Sequence, residues 1–325
     1  MSSNRGMGTA LASPLATFEE SLAGKDPKTI IVYRGVLRGF ARWLSTMPGG
    51  DPFSVELVTQ TAVQGHVDRL AQPGRAPRAR SKALSALRRF CRWVQDEGLL
   101  RRNPAAYVER PTVTQLAPRE LSDKQRYVLK NLVERRDSKY VAAIFALGYW
   151  AGLRVSEVAT LRLDNCDLNR RVGALTIVDS KQGKTRTIDL HNEARRRLYE
   201  YIYDNKHAED RRDPESEYVF SGQRAAALRQ QGRPDHLTIR GAEHVPNRLK
   251  RRATVAEWVL IGDVRFHDLR HDFAHRGRAA GWGLEQIAAY LGHQTRDGAP
   301  AINTTVRYAL PGRERPRERV KPLPG

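Results

Sequence analysis

The sequence predicts a mainly α-helical protein of two domains that contains one small β-hairpin. Apolar residues recur at helical spacing through most of the chain, and a proline-rich stretch interrupts this pattern after about residue 100. The β-type runs ALTIV and TRTIDL flank the turn SKQGK, which indicates a hairpin. With 325 residues, the chain also exceeds the length of about 250–300 residues at which a single hydrophobic core stops growing.

The composition indicates a polyanionic partner. The formal net charge is +20, from 56 lysines and arginines against 36 aspartates and glutamates. Nucleic acid and an acidic membrane surface both fit such a balance. No run of about 18 apolar residues occurs, and the start MSSNRGMGTALASP lacks the order of a signal peptide, so we expect a soluble cytoplasmic protein without a membrane partner. Cys91 and Cys166 form no CxxC pair, which predicts neither a disulfide framework nor a cysteine zinc site.

The first domain is predicted to be helical. Residues 1–13 are rich in serine and glycine, which favours disorder, and the helical domain is expected over residues 14–110. Asp26 followed by Pro27 is typical of a helix start, and apolar residues continue at helical spacing to Thr46.

Basic faces on two helices of this domain favour contact with phosphates. A second long helix is predicted over about 79–97 and ends at Gly98, while less regular helices are expected over about 14–22 and 56–71. A solvated surface explains either basic face alone, but two such faces in one small domain favour contact with phosphates. Such contacts supply affinity and do not read the base sequence by themselves. The predicted DNA-binding residues are Arg34, Arg38 and Arg42 on the first long helix and Lys82, Arg88 and Arg92 on the second.

An extended linker is predicted between the domains, over residues 111–120, because RRNPAAYVERPTVTQLAP has three prolines and weak periodicity. Ser122 and Gln125 are spaced as a capping box, which opens the second domain, expected over 121–310. A tail rich in proline and arginine follows over 311–325.

The second domain is also predicted to be mainly helical. Helices are expected over about 123–135 and 138–151, followed by a helix that begins at Arg154. A strand pair, split by QGK, is predicted over about 173–190, and the chain then reads as mainly helical to about residue 309.

Six residues of the second domain have the side chains that cleavage of a phosphodiester requires. Attack on the phosphate adds negative charge to its nonbridging oxygens, and the departing oxygen needs a proton. Arginine meets that charge with a planar fork that stays protonated, while lysine and histidine can transfer a proton. The candidate catalytic residues are Arg154, Lys181, His267, Arg270, His293 and Tyr308.

Two of the six candidate residues are histidines, His267 and His293. His267 and Arg270 are three positions apart, so on a helix they share one face at about 5–6 Å between Cβ atoms. The spacing of His267, His271 and His275 also fits a zinc site, although the glutamate of HExxH is absent and Arg270 would place a positive charge beside the metal. His293 ends the predicted apolar helix LEQIAAYLGH. The alternative to a catalytic role for His293 is an ordinary cap or core histidine. We expect no metal and no cofactor.

The proton donor and the nucleophile each have competitors. Lys181 lies on the hairpin turn, where a flexible ammonium can reach a leaving oxygen, but Lys184 and Arg186 lie close by. Tyr308 is the candidate nucleophile, and its phenol becomes reactive only beside cations and a proton acceptor. Tyr290 is the alternative, but its apolar neighbours favour a core position.

The order of these motifs resembles one family. Residues 121–309, with GLRVSE, HDLRH and LGH followed by TTxxY, are similar to the catalytic domain of the tyrosine recombinases, the phage-integrase and Xer-type family. Residues 14–110 more loosely resemble the helical, SAM-like core-binding domain of that family. The resemblance implies a C-shaped clamp that surrounds DNA with one domain on each side.

The resemblance also implies a mechanism. Tyr308 would attack the scissile phosphate, form a 3′-phosphotyrosyl link and free a 5′ hydroxyl, while Arg154 and Arg270 bind the nonbridging oxygens. The remaining roles implied are Lys181 as general acid, His267 as a partner in proton transfer and His293 as a hydrogen-bond donor to the phosphate. Neither metal nor ATP is required, because the phosphotyrosine keeps the energy of the broken bond.

The partners implied are double-stranded DNA recombination sites and a homotetramer on paired sites, formed from monomers or weak dimers off DNA. Accessory DNA-bending proteins are a further partner class. Two other functions stay open on the residues: a type IB topoisomerase-like enzyme that relaxes DNA, and a DNA-binding accessory protein with an inactive site.

Three features depart from the family pattern. His293 and Tyr308 are separated by fifteen positions, which is longer than Xer-type spacing and puts the placement of the nucleophile in question. Asp272 and His275 stand where the family favours small hydroxyl residues. The tail contains four prolines after Tyr308, so it is not expected to form the long helix that family members pass to a neighbouring protomer.

Overall fold

A computed structural model describes residues 14–71, 77–110, 119–135, 138–178, 185–204, 212–222, 224–295 and 298–309. The side chains of residues 77, 78, 303 and 307–309 are outside this description. The predicted disordered start, most of the predicted linker and the tail after residue 309 likewise lie outside the described residues. Over the described part of the chain, no helix is both long and apolar enough to cross a membrane.

The chain divides into two compact units, residues 1–115 and 116–325. In the first unit, Asp26 caps the second helix by accepting a hydrogen bond from the backbone N of Lys28, at 2.8 Å. Leu37, Phe40 and Phe90 are buried in its core, so the helical periodicity of the sequence identified the inward faces. The helices of this unit are α1 (Pro14–Ser21), α2 (Pro27–Leu44), α3 (Gln60–Arg69) and α4 (Pro77–Asp96), with a 3₁₀ turn at Val55–Leu57.

The second unit is mainly helical around one buried helix, Lys139–Tyr149, whose residues from Val141 onward are all buried. The predicted capping box at the start of the second unit is present, since Ser122 and Gln125 exchange hydrogen bonds of 3.0 and 3.3 Å. Its helices are α5 (Asp123–Arg135), α6 (Lys139–Tyr149), α7 (Val155–Ala159), α8 (Asn192–Ile202), α9 (Ala225–Gln230), α10 (Ile239–Glu243), α11 (Val245–Lys250), α12 (Val255–Ile261), α13 (Phe266–Ala279), α14 (Leu284–Leu291) and α15 (Ile302–Ala309).

The sheet has three antiparallel strands rather than the two that were predicted, in the order β1 (Cys166–Leu168), β2 (Gly173–Val178) and β3 (Thr185–Asp189). Leu175 of β2 pairs with Cys166 on one side and with Ile188 on the other. Cys166 directly follows the 3₁₀ turn Leu163–Asn165 and is the first residue of β1, the strand that the sequence did not predict. A strand of three residues shows no alternation of its own, and pairing with β2 determines its conformation.

Asp272 ties α13 to the start of the second unit. This fully buried carboxylate accepts hydrogen bonds from the backbone N of Leu121 at 3.0 Å, from Arg126 at 2.8 Å and from Arg276 at 2.9 Å. Two guanidinium groups and an amide compensate the cost of burying its charge. The aspartate that departs from the family pattern thus has a defined role in holding α13.

Candidate active site

Glu157 on α7 is the carboxylate around which three arginines gather. Its side chain is 6% exposed and accepts hydrogen bonds from Arg154 at 2.8 Å and from both terminal nitrogens of Arg186 at 2.9 and 3.0 Å. Arg270 contributes a third guanidinium, with its Nη1 3.8 Å from a carboxylate oxygen. Burial by itself would raise the pKa of Glu157, but these arginines, Arg186 first, lower it to about 2.

The same three arginines cap the C-terminus of α14. Arg186 donates to the carbonyl oxygen of Tyr290 at 2.9 Å, Arg270 to that of Leu291 at 2.7 Å and Arg154 to that of Gly292 at 3.0 Å. Carbonyls at a helix C-terminus have no intrahelical donor and carry a partial negative charge, so cations are stabilised there. The C-terminus of α14 therefore fixes where the three positive charges lie.

Gly292 makes this close approach possible. Its φ of 66° lies in the left-handed region, which ends α14 directly before His293. A Cβ at this position would lie 2.6 Å from Nη1 of Arg186. Glycine is thus required both by the backbone conformation and by the arginine beside it.

The four side chains of this cluster carry a surplus of two positive charges. Arg154, Arg186 and Arg270 are cationic, and Glu157 is the single anion among the four. A phosphodiester carries one negative charge, and a second develops during attack on phosphorus, so the cluster matches the charge of the reacting group. Arg154 is the accessible member, with one third of its side chain exposed, whereas Arg270 is only 1% exposed.

His293 follows directly and joins the cluster. Its Nε2 lies 3.0 Å from Nη2 of Arg270, and its Nδ1 lies 3.0 Å from the hydroxyl of Thr305 on α15. Burial, followed by the charges of Arg270 and Arg154, lowers its pKa to about 3, so the imidazole is neutral at pH 7. The sequence had placed His293 as the end of its helix; the helix ends at Leu291, and His293 lies beyond it.

His267 occupies the first turn of α13, three positions before Arg270, as predicted. It is exposed, and its ring lies 4.3 Å from that of His271 in an edge-to-face arrangement. Partial burial of the ring, and then the charge of Arg270, lower the pKa of His267 from its usual value, which favours the neutral imidazole. Within the described part of the chain, no three metal-binding side chains are grouped as a metal site.

The predicted proton donor, Lys181, falls in residues 179–184, outside the described residues. That segment starts and ends at the paired residues Val178 and Thr185, and Thr185 adjoins Arg186 of the cluster. Lys184, the first competitor, also falls there, whereas Arg186 is held by Glu157 and α14 and is only 11% exposed. Arg186 is thus part of the arginine cluster.

The long connection between His293 and α15 closes on itself. The backbone N of Ala301 donates to the carbonyl of His293 at 2.6 Å, and Gln294 forms a β-bridge with Pro300. The chain thus returns to His293 before α15 begins, and residues 294–300, which start and end at the paired Gln294 and Pro300, are called the closed loop. Tyr308 lies on α15, but its side chain is outside the described residues.

Tyr290, the alternative nucleophile, is half-buried and packs against the core. Its hydroxyl donates to the carbonyl oxygen of Asp189 at 2.9 Å, and its ring stacks on Phe273 with centroids 5.2 Å apart. Burial raises the pKa of its phenol, which makes the phenolate harder to form.

Comparisons with known proteins identify the family. The model of the phage integrase family matches residues 121–311, and that of the phage integrase N-terminal SAM-like domain matches residues 16–98. The chain belongs to the phage integrase family. The resemblance to this family that the sequence motifs indicated is therefore confirmed. The chain is an enzyme of the tyrosine recombinase class, which cleaves and rejoins DNA strands.

Three relatives illustrate the match. Tyrosine recombinase XerC of Lacticaseibacillus casei (strain BL23) is 28% identical over 287 residues, which cover 86% of this chain and 90% of the relative. The Tn1549 transposon integrase in complex with transposon right end DNA superposes with a TM-score of 0.67 at 15% identity, covering 92% of this chain and 94% of that one. A lambda integrase tetramer bound to a Holliday junction gives 0.64 at 16% identity, covering 94% and 78%. The structural matches confirm the predicted fold class, mainly α with a small sheet and two domains.

The basic residues predicted to bind DNA in the first unit differ in their surroundings. Arg42, Lys82 and Arg92 are exposed. Arg34 and Arg38 are exposed as well but pair with Glu19 at 2.8 and 3.6 Å. Arg88 is half-buried, and its guanidinium donates to the carbonyl oxygens of Ala105 and Val108, so it contributes to the packing of its own unit.

Sequence reasoning gave no role to two residues of the site. Glu157 and Thr305 both stood in the quoted motifs, at GLRVSE and TTxxY. A lone acid among apolar residues in the turn after Arg154 was the available signal for Glu157. Thr305 gave no such signal, because its contact with His293 depends on how the connection to α15 closes.

Proposed function

We propose that this integrase-family protein is a site-specific recombinase that cleaves and rejoins DNA through a 3′-phosphotyrosyl intermediate, without metal or ATP. The observation that carries the proposal is the cluster of three arginines at the C-terminus of α14, with its surplus of two positive charges beside neutral His293. Such a cluster stabilises the charge that develops on a phosphate under attack.

In the proposed cleavage step, the Tyr308 oxygen bonds to phosphorus and the bond from phosphorus to the 5′ oxygen breaks. The phenol proton passes to a base, and the departing 5′ oxygen receives a proton from Lys181, with His267 assisting the transfer. The reverse step, with a 5′ hydroxyl of another strand as nucleophile, rejoins the DNA. One phosphodiester is exchanged for another, so no external energy source is needed.

Arg154 and Arg270 have different parts in this proposal. Arg154 is partly exposed and is assigned direct hydrogen bonds to the nonbridging oxygens. Arg270 is buried and contributes charge in this state; its direct contact with phosphate would require movement of the groups that cover it. His293 has both ring nitrogens engaged, so a hydrogen bond to the phosphate would replace one of the present bonds.

The proposed partners follow from the relatives. Double-stranded recombination sites are the proposed substrate, since the Tn1549 and lambda integrases are bound to DNA in their structures. Four protomers on two paired sites are the proposed active assembly, as in the lambda integrase tetramer on a Holliday junction. The exposed basic residues of the first unit are proposed to contact the DNA backbone. The proposed location of the protein is the cytoplasm.

The nucleophile is tested by covalent trapping on a nicked suicide substrate, which loses the 5′ hydroxyl needed for rejoining. Since the recombination site is not known from the sequence, the substrate is first selected from a random duplex library by adduct formation. Tyr308→Phe is expected to abolish the adduct. Tyr290→Phe is the matched control, because it removes the same atom from a tyrosine that packs against the core, and it should retain the adduct.

Trapping by both variants would refute the assignment of Tyr308. Loss of the adduct in EDTA would refute the metal-free chemistry. The same protein is then assayed on supercoiled plasmids with no, one or two selected sites. Relaxation of all three without recombinants would instead indicate topoisomerase-like activity, and binding without an adduct by the unmodified chain would indicate an inactive accessory protein.

A further inference from the structure

Thr305 is a fully buried polar residue on α15, three positions before Tyr308. Its hydroxyl lies 3.0 Å from Nδ1 of His293 and 3.1 Å from the carbonyl oxygen of Ala301, to which it donates. The second contact is an ordinary bond within one helical turn, but the first crosses from α15 to the arginine cluster. Thr305 therefore connects the helix of the proposed nucleophile to the proposed phosphate site.

The direction of each hydrogen bond in this connection follows from the donors available. Arg270 can only donate, so Nε2 of His293 must accept. A neutral imidazole with an accepting Nε2 carries its hydrogen on Nδ1, which is then donated to the Thr305 hydroxyl. That hydroxyl directs its own hydrogen to Ala301. One continuous chain of donors thus runs from Arg270 to α15 and fixes the tautomer of His293.

The backbone around the closed loop supports the same connection. Ala301 donates to the carbonyl of His293, so the start of α15 is tied to His293 by a main-chain bond, and Thr305 adds a side-chain bond one turn later. Two attachments on successive turns restrict both the position and the rotation of a short helix, which a single attachment at its start does not.

We propose that Thr305 is a positioning residue, which holds the α15 turn that carries Tyr308 against the arginine cluster through His293. This inference rests on the proposed function, in which Tyr308 is the nucleophile. Thr305 itself does not touch the DNA in this proposal. Its loss should therefore slow cleavage without weakening DNA binding.

The test compares three variants of the full chain on the selected suicide substrate. Thr305→Val keeps the shape and removes the hydroxyl, and we expect single-turnover formation of the adduct to slow by about tenfold or more. Thr305→Ser restores the hydroxyl and should cleave within about threefold of the unmodified chain. Thr304→Val is the matched control, since Thr304 is exposed on the preceding position of the same helix, and its rate should not change.

Two further readouts separate positioning from a general loss of structure. The dissociation constant for uncleaved DNA should stay within about twofold in all three variants. In a double-mutant cycle, Thr305→Val should add little to the defect of His293→Ala, because both substitutions break the same connection.

Adduct formation by Thr305→Val at the unmodified rate would overturn the positioning role, as would full additivity with His293→Ala or equal slowing by Thr304→Val. Failure of both Thr305→Val and Thr305→Ala to fold would assign Thr305 a purely structural role and also overturn it. No adduct from the unmodified chain would instead count against the proposed function, so the two failures are distinguishable.

Discussion

The buried carboxylate of Glu157 gives a quantitative prediction for the substitution Glu157→Gln. This change keeps the shape of the side chain but removes the charge that faces Arg154, Arg186 and Arg270. The lowering of its pKa from 4.5 to about 2 corresponds to about 3 kcal/mol of stabilisation in the folded state. Loss of one partner from a buried ion pair costs a similar amount, about 3–5 kcal/mol. We therefore expect Glu157→Gln to lower the free energy of unfolding by about 3 kcal/mol at pH 7.

The pH dependence of this difference has a definite sign. Because the folded-state pKa of Glu157 is lower than the unfolded one, its stabilisation is complete above about pH 4.5 and is lost as the pH falls toward 2. The gap between the unmodified chain and Glu157→Gln should therefore narrow by about 1 kcal/mol between pH 7 and pH 4.

Urea unfolding followed by circular dichroism measures both quantities, with the transitions of the two units fitted separately. Glu217→Gln is the control, since Glu217 pairs with Arg162 at 2.7 Å in the same unit but is 70% exposed, and its loss should cost less than about 1 kcal/mol. Equal losses in the two variants, or a gap that stays constant down to pH 4, would refute the electrostatic account of the cluster.

Three other predictions concern the first unit and the end of α14. Arg92→Ala should weaken DNA binding and reduce the slope of log K against log salt by about 1, measured by fluorescence anisotropy, without a change in Tm. Arg88→Ala should instead destabilise its unit by about 1–2 kcal/mol, because the carbonyls of Ala105 and Val108 lose their donor; equal Tm values for the two variants would contradict this. Gly292→Ala should slow formation of the covalent adduct and lower Tm, since the new Cβ displaces Arg186; a rate equal to that of the unmodified chain would rule this out.

Local signals made the helices predictable. The N-cap at Asp26 and the capping box of Ser122 with Gln125 each depend on residues within one turn, and the structure forms both. The strand β1 was missed because it exists only through pairing with β2, whose partner residues lie several positions along the chain.

The sequence motifs predicted several residues of the site, but not the hydrogen bonds and ion pairs that join these residues. The motifs identified Arg154, Arg270 and His293, which the structure brings together. That Glu157 would face Arg186 of β3 depends on tertiary packing between α7 and the sheet, which no spacing in the sequence encodes. Whether Lys181 and Tyr308 act as proposed stays a prediction for the trapping experiments.

Because of the closed loop after His293, the position at which α15 begins need not depend on the number of residues between His293 and α15. Because Gln294 pairs with Pro300 and Ala301 bonds back to His293, we expect that residues added to or removed from the loop leave the start of α15 in place. A motif search that requires a constant number of residues between LGH and TTxxY would therefore discard a chain whose α15 still begins beside His293. For engineering, we expect a reporter peptide inserted between the paired residues Gln294 and Pro300 to cost the following helix little stability.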